Sequence, residues 1–170
     1  RAQFVRFLLR PATVSLALPL YWPWHHVRQS PVAIGASLLC GSLTAILSAV
    51  GVGWALGGTE AILASLAPKS VTAPVAMAIA EQIGGLPSLT AVIVVVAGIL
   101  GAMAGPYLLD LIGVRDWKAR GLAIGTASHG IGTARALQVN ETAGAFSGLA
   151  MGLNALATAL LLPIVWGLLF

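Results

Sequence analysis

Long apolar runs separated by short polar or glycine-rich turns dominate the hydropathy pattern of this chain. A helix needs about 20 mostly apolar residues to cross a bilayer, and shorter runs are expected where a spanning helix is broken. The pattern therefore predicts an all-α polytopic membrane protein with about seven spans, forming a single transmembrane domain over residues 1–170. The predicted spans are residues 11–21, 31–50, 52–66, 71–83, 89–112, 122–137 and 143–169.

Three of these spans, the first, fourth and sixth, are short and contain helix-breaking residues. Prolines interrupt the first and the fourth, and Gly125, Gly130 and Gly132 interrupt the sixth. Short spans broken by Pro or Gly are typical of the discontinuous helices of secondary transporters. Backbone groups freed at membrane depth are tolerated only where protein or a polar cavity satisfies them. The sequence thus predicts a binding site for a small polar solute at the breaks.

A weak internal repeat favours an inverted topology. Shifts of about 115 residues superpose residues 11–13 on 126–128 and residues 36–47 on 150–161. The matched spans lie five crossings apart in the seven-span order, so they are predicted to run in opposite directions. That arrangement is the inverted-topology repeat of secondary transporters, in which two broken helices face each other near the bilayer midplane.

Composition agrees with the membrane class. The chain has 58% hydrophobic and 8% charged residues, and its mean hydropathy is +0.95, whereas soluble domains carry about 25% charged residues. The basic residues do not cluster with aromatic ones, which argues against a nucleic-acid partner. One cysteine, Cys40, excludes an internal disulfide and a cysteine-based metal site. No metal or other cofactor is expected.

Lysine and arginine positions predict the orientation, because cytoplasmic loops carry an excess of them. The loops around Arg28, around Lys69 and over residues 115–120 are assigned to the cytoplasm. Residues 84–88 and 138–142, which contain no basic residue, are assigned to the outside.

The fourth predicted span begins with Lys69, Ser70 and Thr72, and Pro74 follows. Lys69 and freed amides at a helix N-terminus fit a carboxylate, but the favoured interpretation of Lys69, at the predicted span edge, is a cation that reaches the lipid headgroups. Ser70 and Thr72 are candidates for capping the helix, and together with Lys69 they are also predicted substrate-binding residues. Glu81 near the other end of the span is interpreted either as a proton-coupling group that pairs with Arg135 or as a solvated carboxylate.

The sixth span contains the most concentrated polar sequence of the chain, G-T-A-S-H-G-I-G-T-A-R-A at residues 125–136. An arginine within a span is a functional-site hypothesis by default, and its planar fork suits a carboxylate. Arg135 is therefore the favoured substrate contact, although a structural pair with Glu141 remains open. His129 is either a structural residue or a substrate donor or proton-sensitive gate. The predicted substrate-binding residues of this stretch are Thr126, Ser128, His129, Gly130, Gly132, Thr133 and Arg135.

The last span combines small residues with one amide side chain, that of Asn154. Gly144, Gly148 and Gly152 repeat every four residues and predict close packing against another helix. Asn154 is interpreted as a hydrogen-bonding residue to a neighbouring helix or, alternatively, to substrate.

Four segments together resemble the LrgB/CidB family. They are L-A-P-K-S-V-T-A-P at 66–74, E-Q-I-G-G-L-P-S-L-T-A-V at 81–92, G-T-A-S-H-G-I-G-T-A-R-A-L at 125–137 and G-A-F-S-G-L-A-M-G-L-N at 144–154. The resemblance extends from about Phe4 onward, and about two N-terminal spans of the family are expected to be missing. One departure is Arg10 before Pro11, where the family usually has a small residue.

The resemblance implies a multi-pass protein of the bacterial inner membrane, described as holin-like or antiholin-like and linked to murein hydrolase export and cell lysis. It implies a smaller membrane partner of the LrgA/CidA type and a homo-oligomer, often a dimer. Relatives in plastids are glycolate/glycerate translocators, and bacterial ones have been linked to pyruvate and other small monocarboxylates.

Two functions are predicted from these observations. The favoured one is a secondary carrier for a small monocarboxylate, because a central cation and a repeat are not needed by a pore formed through assembly. The alternative is a holin-like pore or regulatory oligomer without a specific substrate. An enzyme is not expected, since no nucleophile, base and orienting group occur at a recognisable spacing.

Overall fold

A computed structural model describes residues 31–170 of the chain. These residues form six helices joined by short turns. The helices are α1 (Pro31–Ala55), α2 (Glu60–Leu66), α3 (Ala73–Gln82), α4 (Pro87–Leu111), α5 (Trp117–Val139) and α6 (Glu141–Leu169).

Three of the described helices, α1, α4 and α6, are long and apolar enough to cross a membrane. They contain 25, 25 and 29 residues. Much of their outer surface consists of large apolar side chains, including Leu100, Tyr107 and Leu160, each at least 60% exposed. An apolar exterior of this extent suits lipid rather than water.

Helices α1 and α6 lie side by side and run in the same direction. Successive positions along α1 meet successive positions along α6, and both helices start at the same end of the bundle. In chain order, the residues that share a cluster or a hydrogen bond are Leu38 with Phe146, Ser42 with Asn154, and Val50 with Trp166.

Helix α4 runs in the direction opposite to α1 and α6. Thr90, in its first turn, donates a hydrogen bond of 3.1 Å to the Ser65 carbonyl of α2, which follows the end of α1. Leu109, near the end of α4, packs against Ala143 at the start of α6. The end where α1 and α6 begin also carries Arg115, Lys118, Arg120 and Arg135, and we call it the basic end.

Helices α2 and α3 form a helical hairpin that enters from the opposite end and returns to it. Ile79 of α3 packs in the same cluster as Leu63 of α2. The amide of Leu86, after α3, donates to Ser65 Oγ at 2.8 Å. Residues 67–72 therefore form the tip of this hairpin, inside the bundle. With seven and ten residues, its arms extend about 10 and 15 Å.

Helix α5 is a second hairpin, interrupted at His129, where φ is 41° and ψ is −134°. The first half runs parallel to α6, since Gly121 meets Ala143 and Gly125 meets Ser147. A Cβ atom at Gly132 would lie 2.8 Å from Ile124 Cγ2. Residues eight positions apart in one straight helix are separated by about 12 Å, so the chain folds back.

The second half of α5 returns along α6 in the antiparallel direction. Thr133 Oγ1 and Ser147 Oγ are 2.9 Å apart, and Gly144 packs on Leu137 four residues further along α5. Helix α5 thus starts and ends at the basic end, with its tip at His129. The two hairpins enter the bundle from opposite ends.

This architecture corrects the seven-span prediction over the described residues. Three long helices and two hairpins replace the six spans predicted after residue 31. Residues 52–66 are not a separate span, because α1 continues to Ala55 and Gly57 then turns at a φ of 78°. Residues 71–83 form one arm of a hairpin. The interruption predicted within residues 125–136 is confirmed, whereas the predicted first span, 11–21, lies outside the described residues.

The predicted inverted repeat is not confirmed. Helices α1 and α6, which contain the matched residues 36–47 and 150–161, run in the same direction rather than in opposite directions. The predicted directions differ because the sequence predicts residues 52–66, 71–83 and 122–137 to be three full crossings. In the structure these residues belong to the end of α1 and to the arms of the two hairpins. Residues 138–142 consequently lie at the basic end with residues 115–120, not on the other side.

Candidate functional site at the hairpin tips

The tips of the two hairpins meet at Asn154, near the middle of α6. Its Nδ2 donates to the Ser70 carbonyl at 3.2 Å and to the Thr126 carbonyl at 3.1 Å. Ser42 Oγ of α1 donates to its Oδ1. Asn154 is fully buried, so one side chain connects α1, both hairpins and α6.

The carbonyls that Asn154 binds lie where regular helix hydrogen bonding stops. Ser70 is in the tip between α2 and α3, and Thr126 precedes the interruption at His129 by three residues. Buried carbonyls without a donor are costly. Asn154 satisfies one carbonyl on each hairpin, which fixes the two tips relative to each other.

A cavity of about 680 Å³ extends from the basic end to these tips. Leu109, Ile112 and Val114 surround it at the basic end, and Lys69, Ser70 and Thr126 at its inner end. A volume of this size is within the range of small-molecule sites. The other described residues that line it are Ser37, Leu38, Cys40, Gly41, Thr44, Ala45, Ala119, Leu122, Ala123 and Ala127.

The electrostatics of the cavity favour an anion. Lys69 is the one charged side chain among the described residues of its lining, and no aspartate or glutamate is among them. Helix α3 begins at Ala73, four residues after Lys69, and a helix N-terminus carries partial positive charge. The Ser70 and Thr126 carbonyls, which would repel an anion, accept hydrogen bonds from Asn154 instead.

Ser70 places a buried hydroxyl at the inner end of the cavity. It is 1% exposed, and its Oγ has no hydrogen-bond partner among residues 31–170. A buried hydroxyl without a partner costs about 1–3 kcal/mol, which a bound polar solute would recover. Thr72 occupies the N-cap position of α3, yet neither Ser70 nor Thr72 makes the predicted capping bond within the described residues.

His129 and Ser128 lie against glycines of α4 rather than in the cavity. Nε2 of His129 is 3.0 Å from the Val94 carbonyl and therefore carries the proton. A Cβ atom at Gly98 would lie 2.6 Å from His129 Cε1, and one at Gly101 would overlap Ser128 Oγ. His129 and Ser128 are at most 4% exposed. The bond to Val94 offsets part of the strain of a left-handed residue, which costs about 1–3 kcal/mol.

The remaining residues of the central stretch shape the second hairpin. Gly130 and Gly132 form the return from the interruption, and a side chain at Gly132 would collide with Ser128 and Ile124. Thr133 is fully buried and bonds to the His129 carbonyl at 2.8 Å as well as to Ser147. These contacts hold the arms of the second hairpin to each other and to α6.

Arg135 and Glu81 lie away from the hairpin tips. Arg135 is exposed near the basic end, where its Nη1 donates to Gln138 Oε1 at 3.5 Å, and it does not line the large cavity. Glu81 is exposed near the opposite end. Within residues 31–170 Arg135 forms no ion pair with Glu81 or with Glu141.

Two features of the site were missed from the sequence. The sequence predicts Asn154 to contact a neighbouring helix or substrate, not to connect both hairpin tips, and it does not predict that α1 lines the cavity. Ser37, Gly41 and Thr44 recur at intervals of four and three residues, which places them on one helix face. That small and polar face in an apolar helix was the available signal.

Comparisons with known proteins agree with one another. The family described as LrgB-like matches residues 1–168. The uncharacterized protein YxaC of Bacillus subtilis is 38% identical over 163 residues, which are 96% of this chain and 71% of that protein. The holin-like protein CidB of Staphylococcus epidermidis is 30% identical over 162 residues, which are 95% of this chain and 71% of that protein. No solved structure matches.

Proposed function

Because the chain belongs to the LrgB-like family of membrane proteins, we propose that it is a secondary carrier for a small monocarboxylate, such as pyruvate or glycolate, in the bacterial inner membrane. The observation that supports this is the inner end of the cavity, where Lys69 and the buried Ser70 hydroxyl occur without an acidic neighbour in the described lining. A carboxylate would accept hydrogen bonds from both groups.

The two hairpins are interpreted as re-entrant segments. Non-helical backbone at membrane depth is compatible with a bilayer only where it is surrounded by protein or lines a polar cavity. Residues 67–72 and His129 meet that condition, because the first lie between the cavity and Asn154 and the second is buried against α4. Broken helices at the midplane are where carriers place their substrates.

Lys69, Ser70 and Thr126 are the proposed substrate contacts, with Thr72 at the start of α3 close by in the chain. Ser128, His129, Gly130, Gly132 and Thr133 shape the second tip. Arg135, the contact favoured by the sequence, lies outside the cavity, and we assign it to the basic end rather than to the substrate.

Counterflow of labelled pyruvate and glycolate into liposomes containing the full-length protein tests this function. We expect saturable exchange. Lys69→Gln should lower the exchange rate at least about tenfold, because a hydrogen bond to a charged group is worth about 1.5–3 kcal/mol. Lys118→Gln is the matched control, since it removes the same charge outside the cavity lining, and Arg135→Ala should also leave exchange intact.

Two other results would contradict this proposal, one its carrier function and the other its substrate contacts. Leakage of unrelated solutes without saturation would instead support a holin-like pore, the function named for CidB of Staphylococcus epidermidis. Equal rates for Lys69→Gln and the wild type, with loss in Arg135→Ala, would move the anion site to Arg135. A dimer and a partner of the LrgA/CidA type stay predictions.

A further inference from the structure

The carboxamide of Asn154 lies directly behind the inner end of the cavity. It bonds to the carbonyls of Ser70 and Thr126, both of which line the cavity, but Asn154 itself does not. On the side away from the cavity, Ala155 packs against the apolar cluster of Val71, Ala76 and Val94. Asn154 thus separates the inner end of the cavity, where Lys69 and Ser70 lie, from a closed apolar layer.

The apolar layer continues to the opposite end of the bundle. Ile46, Leu63, Ile79 and Leu162 form the next cluster in that direction, and Ile46, Leu63 and Leu162 are at most 1% exposed. A polar solute that reached the cavity from the basic end would therefore have to part the two hairpin tips in order to go further. Parting the tips requires that at least one carbonyl lose its bond to Asn154.

We propose that Asn154 is the gate residue of this pathway, a positioning residue whose amide holds the hairpin tips together and closes the cavity toward the opposite end. The identity of the solute that passes this gate rests on the proposed carrier function. The existence of the barrier does not rest on it, because the barrier can be measured without substrate.

The chain contains its own reporter for this barrier. Cys40 is the one cysteine of the 170 residues, it is exposed, and it lines the cavity. A membrane-impermeant maleimide should reach it from the basic end and not from the other side. Cys40→Ser identifies the labelled position.

The experiment compares labelling in vesicles of both orientations for the wild type and two variants. Asn154→Ala removes both donors to the tips, and we expect Cys40 to become reactive from both sides. Ser147→Ala is the matched control, because it also removes a buried interhelical hydrogen bond, to Thr133, that is not between the tips. It should keep labelling one-sided.

A third variant keeps the test informative if Asn154→Ala does not fold. Ser42→Ala removes only the hydroxyl that orients the amide, and we expect labelling from the opposite end to accelerate several-fold. Wild-type labelling from both sides, one-sided labelling in folded Asn154→Ala, or two-sided labelling in Ser147→Ala would each overturn the proposal. If Asn154→Ala does not fold, unchanged labelling in Ser42→Ala would overturn it. Failure of counterflow would reject the carrier and leave these outcomes unaffected.

Discussion

Two buried polar side chains, Asn154 and Arg120, each donate to a pair of carbonyl oxygens at places where helices end or break. Arg120 Nη1 binds Asp110 Oδ1 at 2.5 Å and the Val114 carbonyl at 2.9 Å, and its Nη2 binds the Pro106 carbonyl at 3.2 Å. The guanidinium also lies 5.2 Å from the ring centroid of Trp117. An arginine assigned from the sequence to a cytoplasmic loop thus connects the end of α4 to the start of α5.

Replacing Arg120 should destabilise the protein more than replacing its ion-pair partner. Arg120→Ala leaves two carbonyls without their donor, at an expected cost of about 1–3 kcal/mol. Asp110→Asn should cost less than Arg120→Ala, because the Asp110 side chain is 64% exposed and an asparagine oxygen can still accept a hydrogen bond from Arg120. Thermal unfolding in detergent measures both, and equal losses would show that the ion pair matters more than the carbonyl bonds.

The sequence could predict the role of a residue only where that role does not depend on how deep its side chain lies in the helix bundle. The stretch around His129 was identified, because glycines next to polar residues in an apolar run are visible as such. The sequence could not decide whether Lys69 or Arg135 lies at the cavity. An arginine in a full span and one near the end of a hairpin arm have the same local sequence. Only tertiary packing distinguishes them.

At the scale of elements, contact between α5 and α6 depends on glycines that let backbones approach. A Cβ atom at Gly125 would lie 2.1 Å from the Ser147 carbonyl oxygen, and one at Gly121 would lie 2.3 Å from that of Ala143. The predicted small-residue face of α6 contributes at Gly144, whereas Gly152 has open space around it. The close packing is therefore supplied largely by α5.

Alanine substitutions should distinguish a glycine packed against a neighbouring backbone from one that faces open space. Gly125→Ala must push the first arm of α5 away from α6, and we expect a loss of about 1–3 kcal/mol, seen as a lower melting temperature. Gly152→Ala should be neutral or stabilise by up to about 1 kcal/mol, because alanine is the better helix residue. A loss at Gly152 equal to that at Gly125 would contradict the packing described here.

Breaks in helices were predictable, but the direction of the chain after a break was not. Proline and glycine mark where regular hydrogen bonding stops, whereas the return of α3 onto α2 depends on contacts such as that between Leu86 and Ser65, 21 residues apart. Hydropathy records apolar length alone. Two arms of a hairpin therefore gave the same signal as full crossings.

For the whole molecule, the direction of each helix decides which charged segments share a side of the membrane. Over residues 31–170, three long helices and two hairpins place residues 112–116 and 140 at the basic end, and residues 56–59 and 83–86 at the other. Arg115, Lys118, Arg120 and Arg135 then lie on one side. The excess of basic residues in cytoplasmic segments predicts that this side faces the cytoplasm, with the cavity open toward it.

Cysteines introduced at four exposed positions in a Cys40→Ser background test this arrangement. Arg115→Cys and Thr142→Cys should react with an impermeant maleimide from the same, cytoplasmic side, and Thr59→Cys and Ser88→Cys from the other side. The seven-span order instead places residue 142 with residue 88, so position 142 distinguishes the two. If Thr142→Cys reacted together with Ser88→Cys, α5 would have to cross the membrane, and its tip could no longer meet that of the first hairpin at Asn154.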